Sequence, residues 1–591
     1  MSSKIGREQA AEVFQRIALL MELKGENPFK VRAYKSGAEV VESHPDDIMG
    51  LAVEGRLKGI KGLGDALQEK LHELAVTGRL EFFEKLKADF PPGLLELFEV
   101  QGLGPKKIKV LFEALQVGSV ADLKRVCESG EAETLPGFGR KSVEKILESL
   151  AFREAHASEF RLDQAAPVAE MLRSFLLEHP AVSRVEVCGS YRRGKEVVHD
   201  LDFLAASKQP DEVIAAFTAH PMVVNVIASG GTKASVHVEN GLQCDLRVVS
   251  TAEFPFAQHY FTGSKEHNVA MRQRALERGW SLNEYGFKAA VDGRPAAPLP
   301  EGIEDEAGIY RALGLDYVEP ELRENHGELE AAESGGLPEL VRLENLRGIF
   351  HNHTTASDGR ATLREMAEAC MELGLQYLGI ADHSRSSFQA NGLDAVRLLA
   401  QVREIRELNE EFAADGRGFR IFAGSEVDIL RDGSLDFDDE ILAQLDYVVA
   451  SVHNALQLPE EEMTARLLKA VANPHVTMLG HVTGRLLTQR PASQVNLPAV
   501  IDAAAENGTI IELNASAWRL DMDWRWWKMA AAKGVRTSIN PDAHSCEGIK
   551  DIVFGVKSAR KGWLKRPDVV NCLPLGQVET VLQEKRRRAG L

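Results

Sequence analysis

The sequence predicts a multidomain protein with an all-helical front, an α+β unit in the middle and a parallel β/α barrel behind. Three observations predict it. The first 150 residues break into short amphipathic helices separated by three Gly-hydrophobic-Gly turns. Residues 151–318 alternate strand-like and helical runs around two aspartates placed two apart. Residues 341–580 hold seven apolar strand-like runs, each ending in polar residues and separated from the next by a helical segment.

The whole chain sets the bounds. Its 591 residues suffice for several domains with sizeable cores, and 44% hydrophobic with 27% charged residues is the balance of a soluble globular protein. No run approaches the ~20 apolar residues of a membrane span, and Met-Ser-Ser-Lys-Ile-Gly-Arg lacks the apolar core of a secretory signal. Cysteines 127, 188, 244, 370, 546 and 572 have no pairing pattern, which suits reduced thiols in a cytoplasmic location. The net charge of −18 on its face argues against a nucleic-acid partner. Charge is local, however: the first 150 residues carry 22 basic against 24 acidic side chains, and acid gathers later. A nucleic-acid partner then needs basic patches or metal-bridged phosphates.

In chain order, the first element is a repeat. It reads Gly59-Ile-Lys-Gly-Leu-Gly64, Gln101-Gly-Leu-Gly-Pro-Lys-Lys107 and Leu135-Pro-Gly-Phe-Gly-Arg-Lys141, each followed by an apolar helix. Glycines permit a sharp turn and close approach to a ligand, and the N–H groups at the next helix start favour phosphate. One copy would be an ordinary helix-to-helix turn. Three copies, two with basic residues directly after the second glycine, resemble the helix–hairpin–helix element that grips DNA backbones without reading sequence. Gly62, Gly64, Gly102, Gly104, Gly137 and Gly139 are the candidate contacts. The third copy lacks the Gly-x4-Gly-Lys spacing of an ATP-binding loop.

Residues 189–202 read Gly-Ser-Tyr-Arg-Arg-Gly-Lys-Glu-Val-Val-His-Asp-Leu-Asp. Strand geometry turns Asp200 and Asp202 to one face, where two like charges require a cation between them. A Gly-Ser turn and two arginines suit phosphate oxygens. Asp245, in the strand-like Leu242-Gln-Cys-Asp-Leu-Arg-Val-Val249, is a third carboxylate that needs a partner. A turn, His259-Tyr-Phe-Thr-Gly-Ser-Lys-Glu-His-Asn268, then opens a helix carrying Arg272.

On these motifs residues 1–318 resemble the family X DNA polymerases, the polymerase beta group. The resemblance implies that Asp200 and Asp202 hold two Mg²⁺ or Mn²⁺ ions, and that Asp245 holds the catalytic one and helps to activate the primer 3′-hydroxyl. It implies a deoxynucleoside triphosphate site at Gly189, Ser190, Arg193, Tyr260, Phe261, Gly263 and Asn268, with Arg272 against the template. Lys265 departs from the family, whose best-known members carry an acid there. The resemblance also offers Lys70 as a Schiff-base lysine for 5′-deoxyribose phosphate, supported by Lys30 and Tyr34. Ala66 stands where the family's pocket has a second lysine, and the alternative for Lys70 is a solvated helix lysine.

The seven barrel runs end in His351-Asn-His353, Asp382-His383, Glu426, His453, His481, Asn514 and Asp542-Ala-His544. Parallel barrels gather their sites at C-terminal strand ends, and so many imidazole and carboxylate groups there point to a metal cluster. This half resembles the PHP (polymerase and histidinol phosphatase) domain, a (β/α)7 barrel with up to three metals. The resemblance implies His351, His353, Asp358, His383, Glu426, His453, His481, Asp542 and His544 as ligands, Mn²⁺ or Zn²⁺ as the ions, and metal-assisted phosphoester hydrolysis as the reaction.

The fold class expected is thus an α and α+β nucleotidyltransferase-type polymerase core with helix–hairpin–helix elements, followed by a (β/α)7 PHP barrel. The expected boundaries are a lyase-like helical domain over 1–88, a second DNA-binding helical domain over 89–155, the palm over 156–245, a nucleotide-selection subdomain over 246–318, an acidic linker over 319–340, and the PHP domain over 341–580. The basic tail is read as solvated. The expected protein is a bacterial, nucleoid-associated monomer acting on gapped or primed double-stranded DNA and dNTPs, with no membrane partner. It would fill short gaps in repair and trim 3′ ends, with abasic-site processing as a further capacity of the barrel. The alternatives are a nucleotidyltransferase fused to a histidinol-phosphate-type phosphatase, and a DNA-end-binding scaffold with inert sites.

Overall fold

The computed structural model describes residues 4–44, 47–100, 102–290 and 298–591. Gln101, which opens the second hairpin motif, lies outside them. The chain divides into two compact units, Met1–Ala157 and Ser158–Leu591.

The first unit is helical throughout. Each hairpin motif ends at a glycine that caps the next helix: Gly64 for Asp65–Thr77, Gly104 for Pro105–Leu115 and Gly139 for Arg140–Ala155. The hydrophobic residue between the glycines (Leu63, Leu103, Phe138) is buried and anchors the turn in a single apolar core. Lys107 Nζ donates to Gly102 O at 3.0 Å and to Ser142 Oγ at 3.2 Å, which fastens the second hairpin to the helix after the third.

In the second unit a two-stranded pair, β1 (Phe160–Arg161) and β3 (Val197–Val198), borders a five-stranded sheet. That sheet comprises β2 (Val182–Val187), β4 (Asp200–Ser207), β5 (Val223–Gly230), β6 (Lys233–Val238) and β7 (Gln243–Val249) in the order β2-β4-β7-β6-β5. Its central pair, β4 and β7, is parallel and places Asp202 directly beside Asp245. Helices Leu162–Glu178 and Pro210–Thr218 supply the apolar cover. Helices Phe254–Thr262, Lys265–Glu277 and Glu306–Ala312 follow, with the hairpin β8 (Trp280–Asn283) and β9 (Gly286–Ala289).

The barrel has the seven strands that the sequence predicts, all parallel and in chain order: β10 (Gly348–Asn352), β11 (Tyr377–Ile380), β12 (Arg420–Asp428), β13 (Tyr447–Ser451), β14 (Met478–Leu479), β15 (Ile510–Asn514) and β16 (Thr537–Asn540). A bridge between Asn352 and Ala543 brings the last strand to the first. Such strands are buried on both faces, so they read as continuous apolar runs.

Two expectations need correction. The 319–340 stretch is packed, not an open acidic linker. Leu322, Leu329, Ala332 and Leu340 enter an apolar core with Met271, Trp280 and Tyr310. Most of its acids are paired: Glu321 with Arg560, Glu324 with Arg193 and Lys561, Glu328 with His267, and Glu333 with Arg274. An acidic run stays solvated only when cations and apolar surface do not meet it. The tail is likewise held. Lys585 Nζ donates to Val471 O (2.7 Å), Val476 O (2.9 Å) and Thr509 Oγ1 (2.8 Å), and Arg586 to Leu445 O (2.6 Å) and Leu442 O (3.0 Å).

Candidate active sites

The first site is built on the β4–β7 pair. Asp200, Asp202 and Asp245 share one end of the sheet, and Gln243 Nε2 donates to both Asp245 oxygens at 3.1 and 3.3 Å. Burial first, then Asp200 and Asp245, push the Asp202 carboxyl up to about 7, while Arg193 and Lys233 pull it down. Burial and Asp245 also raise Asp200. Three carboxylates gathered at one sheet edge, two of them held back from ionising, fit a site completed by divalent cations. Gly189 sits at φ +63° under Asp202, and a Cβ there would collide with the Asp202 carboxylate. The short helix Gly189–Arg192 carries Ser190 at this edge.

The motif's two arginines diverge. Arg192 Nη1 donates to Thr262 Oγ1 and Nη2 to Glu306 Oε2, both at 2.7 Å. Arg193 Nε donates to Glu324 Oε1 at 3.0 Å and Nη1 to Thr262 O at 2.5 Å. Both therefore tie the end of the helix Phe254–Thr262, which carries Tyr260 and Phe261 and runs into Gly263 and Ser264, to the arginine motif. Tyr260 is exposed and meets the Phe261 ring edge-on at 5.3 Å. Asn268 Nδ2 donates to Tyr260 O at 2.7 Å, and Arg272 Nε to Asn268 O at 3.3 Å. Lys265 opens the following helix and is exposed. The sequence reading missed Arg192, Glu306, Glu324 and Lys561 as supports. The Arg-Arg pair was visible, but its glutamate partners lie more than a hundred residues away in sequence.

In the N-terminal unit Lys70 Nζ lies 5.1 Å from the Phe82 ring centroid, and Phe82 stacks on Tyr34 at 5.9 Å. Burial pushes the Tyr34 phenol up to about 12. Lys30 is exposed and faces Glu26 at 3.9 Å.

The second site lies at the C-terminal strand ends of the barrel. All nine expected ligand residues fall into overlapping clusters: His353, Asp358, His383 and His544; His351, His353 and Glu426; His351, His481 and Asp542; and His383, Glu426 and His453. Glu426 is the hub. Its Oε1 lies 2.9 Å from His481 Nε2, 3.2 Å from His453 Nε2 and 3.3 Å from His351 Nε2, and its Oε2 lies 2.9 Å from His383 Nδ1. Asp542 Oδ1 lies 3.1 Å from His353 Nε2, and Asp358 Oδ1 lies 3.4 Å from His544 Nε2.

Burial would raise Glu426, yet His453, His351 and His383 hold it well below the carboxylate range. Burial would lower His453, but Glu426 and Asp428 lift it to about 10. Burial and the neighbouring His544 and His383 press His353 down to about 4. Both Glu426 oxygens, His351 Nε2 and His353 Nδ1 are buried without a hydrogen-bond partner. A donor set of imidazoles and carboxylates converging on orphaned buried atoms fits divalent metal ions.

A second layer orients these groups. His351 Nδ1 donates to Glu512 Oε1 and His453 Nδ1 to Asp428 Oδ1, both at 2.6 Å. Asn514 Nδ2 reaches Asp542 Oδ2 at 3.0 Å. The sequence reading passed over Glu512 and Asp428. Asp428 was findable, standing two residues after Glu426 on one strand and thus on the same face.

Family models match four stretches of the chain. A helix-hairpin-helix domain matches residues 6–80, a SAM-like helix-hairpin-helix tandem 94–151, a DNA polymerase beta thumb 257–324 and a PHP domain 350–516. The chain is 38% identical over 579 residues to the DNA polymerase/3′-5′ exonuclease PolX of Bacillus subtilis, covering 98% of this chain and 99% of that one. Its barrel part is 29% identical over 252 residues to a probable phosphatase of Caldanaerobacter subterraneus subsp. tengcongensis, 41% of this chain and 92% of the relative. A probable phosphatase of Thermoanaerobacter sp. is 27% identical over 251 residues, 41% of this chain and 96% of its own. With that full-length likeness, a polymerase beta thumb, helix-hairpin-helix domains and a PHP barrel, the chain belongs to the family X DNA polymerases that carry a C-terminal PHP domain.

Proposed function

We propose that this protein is a DNA polymerase that adds nucleotides at the aspartate edge of its sheet and removes them from 3′ ends at its barrel. The observation that carries it is the presence in one chain of two separate acidic centres with different donor chemistry, one all-carboxylate and one imidazole-rich.

Bound divalent ions neutralise charge on the transferring or cleaved phosphate and polarise the attacking oxygen. Asp200, Asp202 and Asp245 hold them in the first site, as Mg²⁺ or Mn²⁺. Asp245 also draws the proton from the primer hydroxyl. Ser190 and Arg193 bind the triphosphate, the Gly189 turn leaves room beside Asp202, and Tyr260, Phe261, Gly263 and Asn268 line the sugar and base, with Arg272 toward the template. In the second site the nine histidine, aspartate and glutamate ligands hold up to three ions, with Mn²⁺ or Zn²⁺ favoured by the imidazole content. The six hairpin glycines hold the duplex by its phosphates, with no sequence readout.

The substrate read from this is gapped or primed duplex with dNTPs, handled by a cytoplasmic monomer in short-gap repair. Among the described residues no helix is long and apolar enough to cross a membrane. Lys70 on its aromatic shelf is the candidate 5′-deoxyribose phosphate lyase residue.

The test is extension and degradation of a one-nucleotide-gapped duplex. Asp200→Ala lowers nucleotide addition by roughly a thousandfold or more, on the scale of losing electrostatic stabilisation of the transition state, and leaves 3′ degradation intact. His353→Ala does the reverse. Loss of both activities from either change, in folded protein, would refute two independent sites.

A further inference from the structure

Lys561 is a fully buried lysine that neither site uses. It ends the barrel helix Ile552–Lys561, yet it points out of the barrel and into the nucleotide-binding motif. Its Nζ donates to Glu324 Oε1 at 2.5 Å and to the backbone carbonyl of Arg193 at 3.0 Å. The same Glu324 oxygen accepts from Arg193 Nε at 3.0 Å. Lys195 reaches the other oxygen at 3.5 Å. One carboxylate thus joins the palm motif, the 319–340 strap and the barrel.

The arrangement is rigid. Burial would raise Glu324, yet Lys561 and Arg193 hold it down to about 2, so it stays ionised. Burial pulls the Lys561 amine down to about 8 against Glu324, and the aromatic face of Trp524 lies 4.7 Å from Nζ. The strap is pinned a second time, by Arg560 to Glu321 at 2.6 Å and to Glu319 at 3.5 Å. These contacts fix two of the three nitrogens of the Arg193 guanidinium, Nε on Glu324 and Nη1 on Thr262 O. Among the described residues no hydrogen bond engages Nη2. A fork held on two sides presents its third nitrogen in a set direction, and less rotamer entropy is then lost when it binds a phosphate oxygen.

We propose that Lys561 and Glu324 are positioning residues for nucleotide addition, through which the barrel aims Arg193 at the incoming triphosphate. The proposal rests on the reading of Arg193 as a triphosphate contact. By it, the barrel supports synthesis as well as performing its own chemistry.

Single-nucleotide insertion into a one-nucleotide gap by the full-length chain tests it, with Arg193→Ala, Lys561→Met, Glu324→Gln and the double variant Lys561→Met/Glu324→Gln. Lys561→Met raises KM for the dNTP about tenfold, the scale of a charge-assisted hydrogen bond, and changes kcat less than about threefold. Glu324→Gln shifts KM in the same direction. The double variant does no more than the larger single change, because the two residues act in one chain of contacts. Degradation of a single-stranded 3′ end by the same preparations stays at the wild-type rate, which reports an intact barrel. If Arg193→Ala leaves KM unchanged, the triphosphate reading fails and the inference with it. If Arg193→Ala raises KM while Lys561→Met and Glu324→Gln leave it within about twofold, or if the two changes add, the positioning inference alone is overturned. Should Lys561→Met fail to fold, Glu324→Gln decides by the same criterion.

Discussion

Glu512 shows how one buried acid can govern a metal site without touching its interior. It accepts from His351 Nδ1 (2.6 Å) and Asn540 Nδ2 (2.9 Å) on one oxygen, and from His481 N (2.8 Å) and Asn514 Nδ2 (3.2 Å) on the other. Four donors on one carboxylate leave no place for an amide N–H. Glu512→Gln sets its NH₂ against a donor and releases either His351 or His481 from its orientation. The expected loss is about 10- to 100-fold in metal affinity, the usual cost of removing such a support. Metal titration into chelator-treated protein measures it, and nucleotide addition serves as the unaffected control. Eight of the nine candidate ligands were legible as residues because strand ends concentrate them, and Asp358 came only with the family resemblance. Glu512 was not, since an acid inside an apolar strand looks the same whether it meets a metal or a histidine.

At the scale of elements, the glycine hairpins divide labour between their two glycines. The first takes positive φ: +92° at Gly62, +86° at Gly102 and +84° at Gly137. At Gly62 a Cβ would also lie 2.6 Å from Val40 Cγ2. The second glycine is extended and open, with nothing within 4 Å of a Cβ at Gly104. Gly62→Ala therefore lowers stability by about 1–3 kcal/mol through strain and overlap. Gly104→Ala changes it by less than about 1 kcal/mol. If the second glycine faces phosphate, Gly104→Ala instead weakens binding to duplex DNA and flattens the salt dependence. Thermal melting and DNA titration at two salt concentrations separate the two effects. The repeat was readable from sequence because glycine spacing encodes backbone conformation directly.

Across the whole second unit, palm and barrel share apolar and ionic contacts. Leu520, on the loop after β15, is buried in the palm's core cluster, with Leu487 and Phe554 packed against it. Arg161 stacks on Trp518 at 3.3 Å, and Arg485 meets Glu196 at 3.4 Å. Leu520→Ala costs about 2–5 kcal/mol as a buried leucine truncation, and it lowers the thermal transition of both parts together. Calorimetry that finds only one part destabilised would show that they fold independently. The sequence alone determined the order of parts, the helical hairpins, the paired aspartates on one strand face and the seven barrel strands with imidazole and carboxylate residues at their ends. These follow from local periodicity and from residue chemistry at fixed spacing. Only the tertiary structure decided that the 319–340 stretch is packed with most of its acids paired, that the Arg192–Arg193 pair divides between Glu306 and Glu324, and that a barrel lysine reaches the palm. Those outcomes depend on contacts between residues far apart in the chain, and burial sets whether such a charge is solvated or committed.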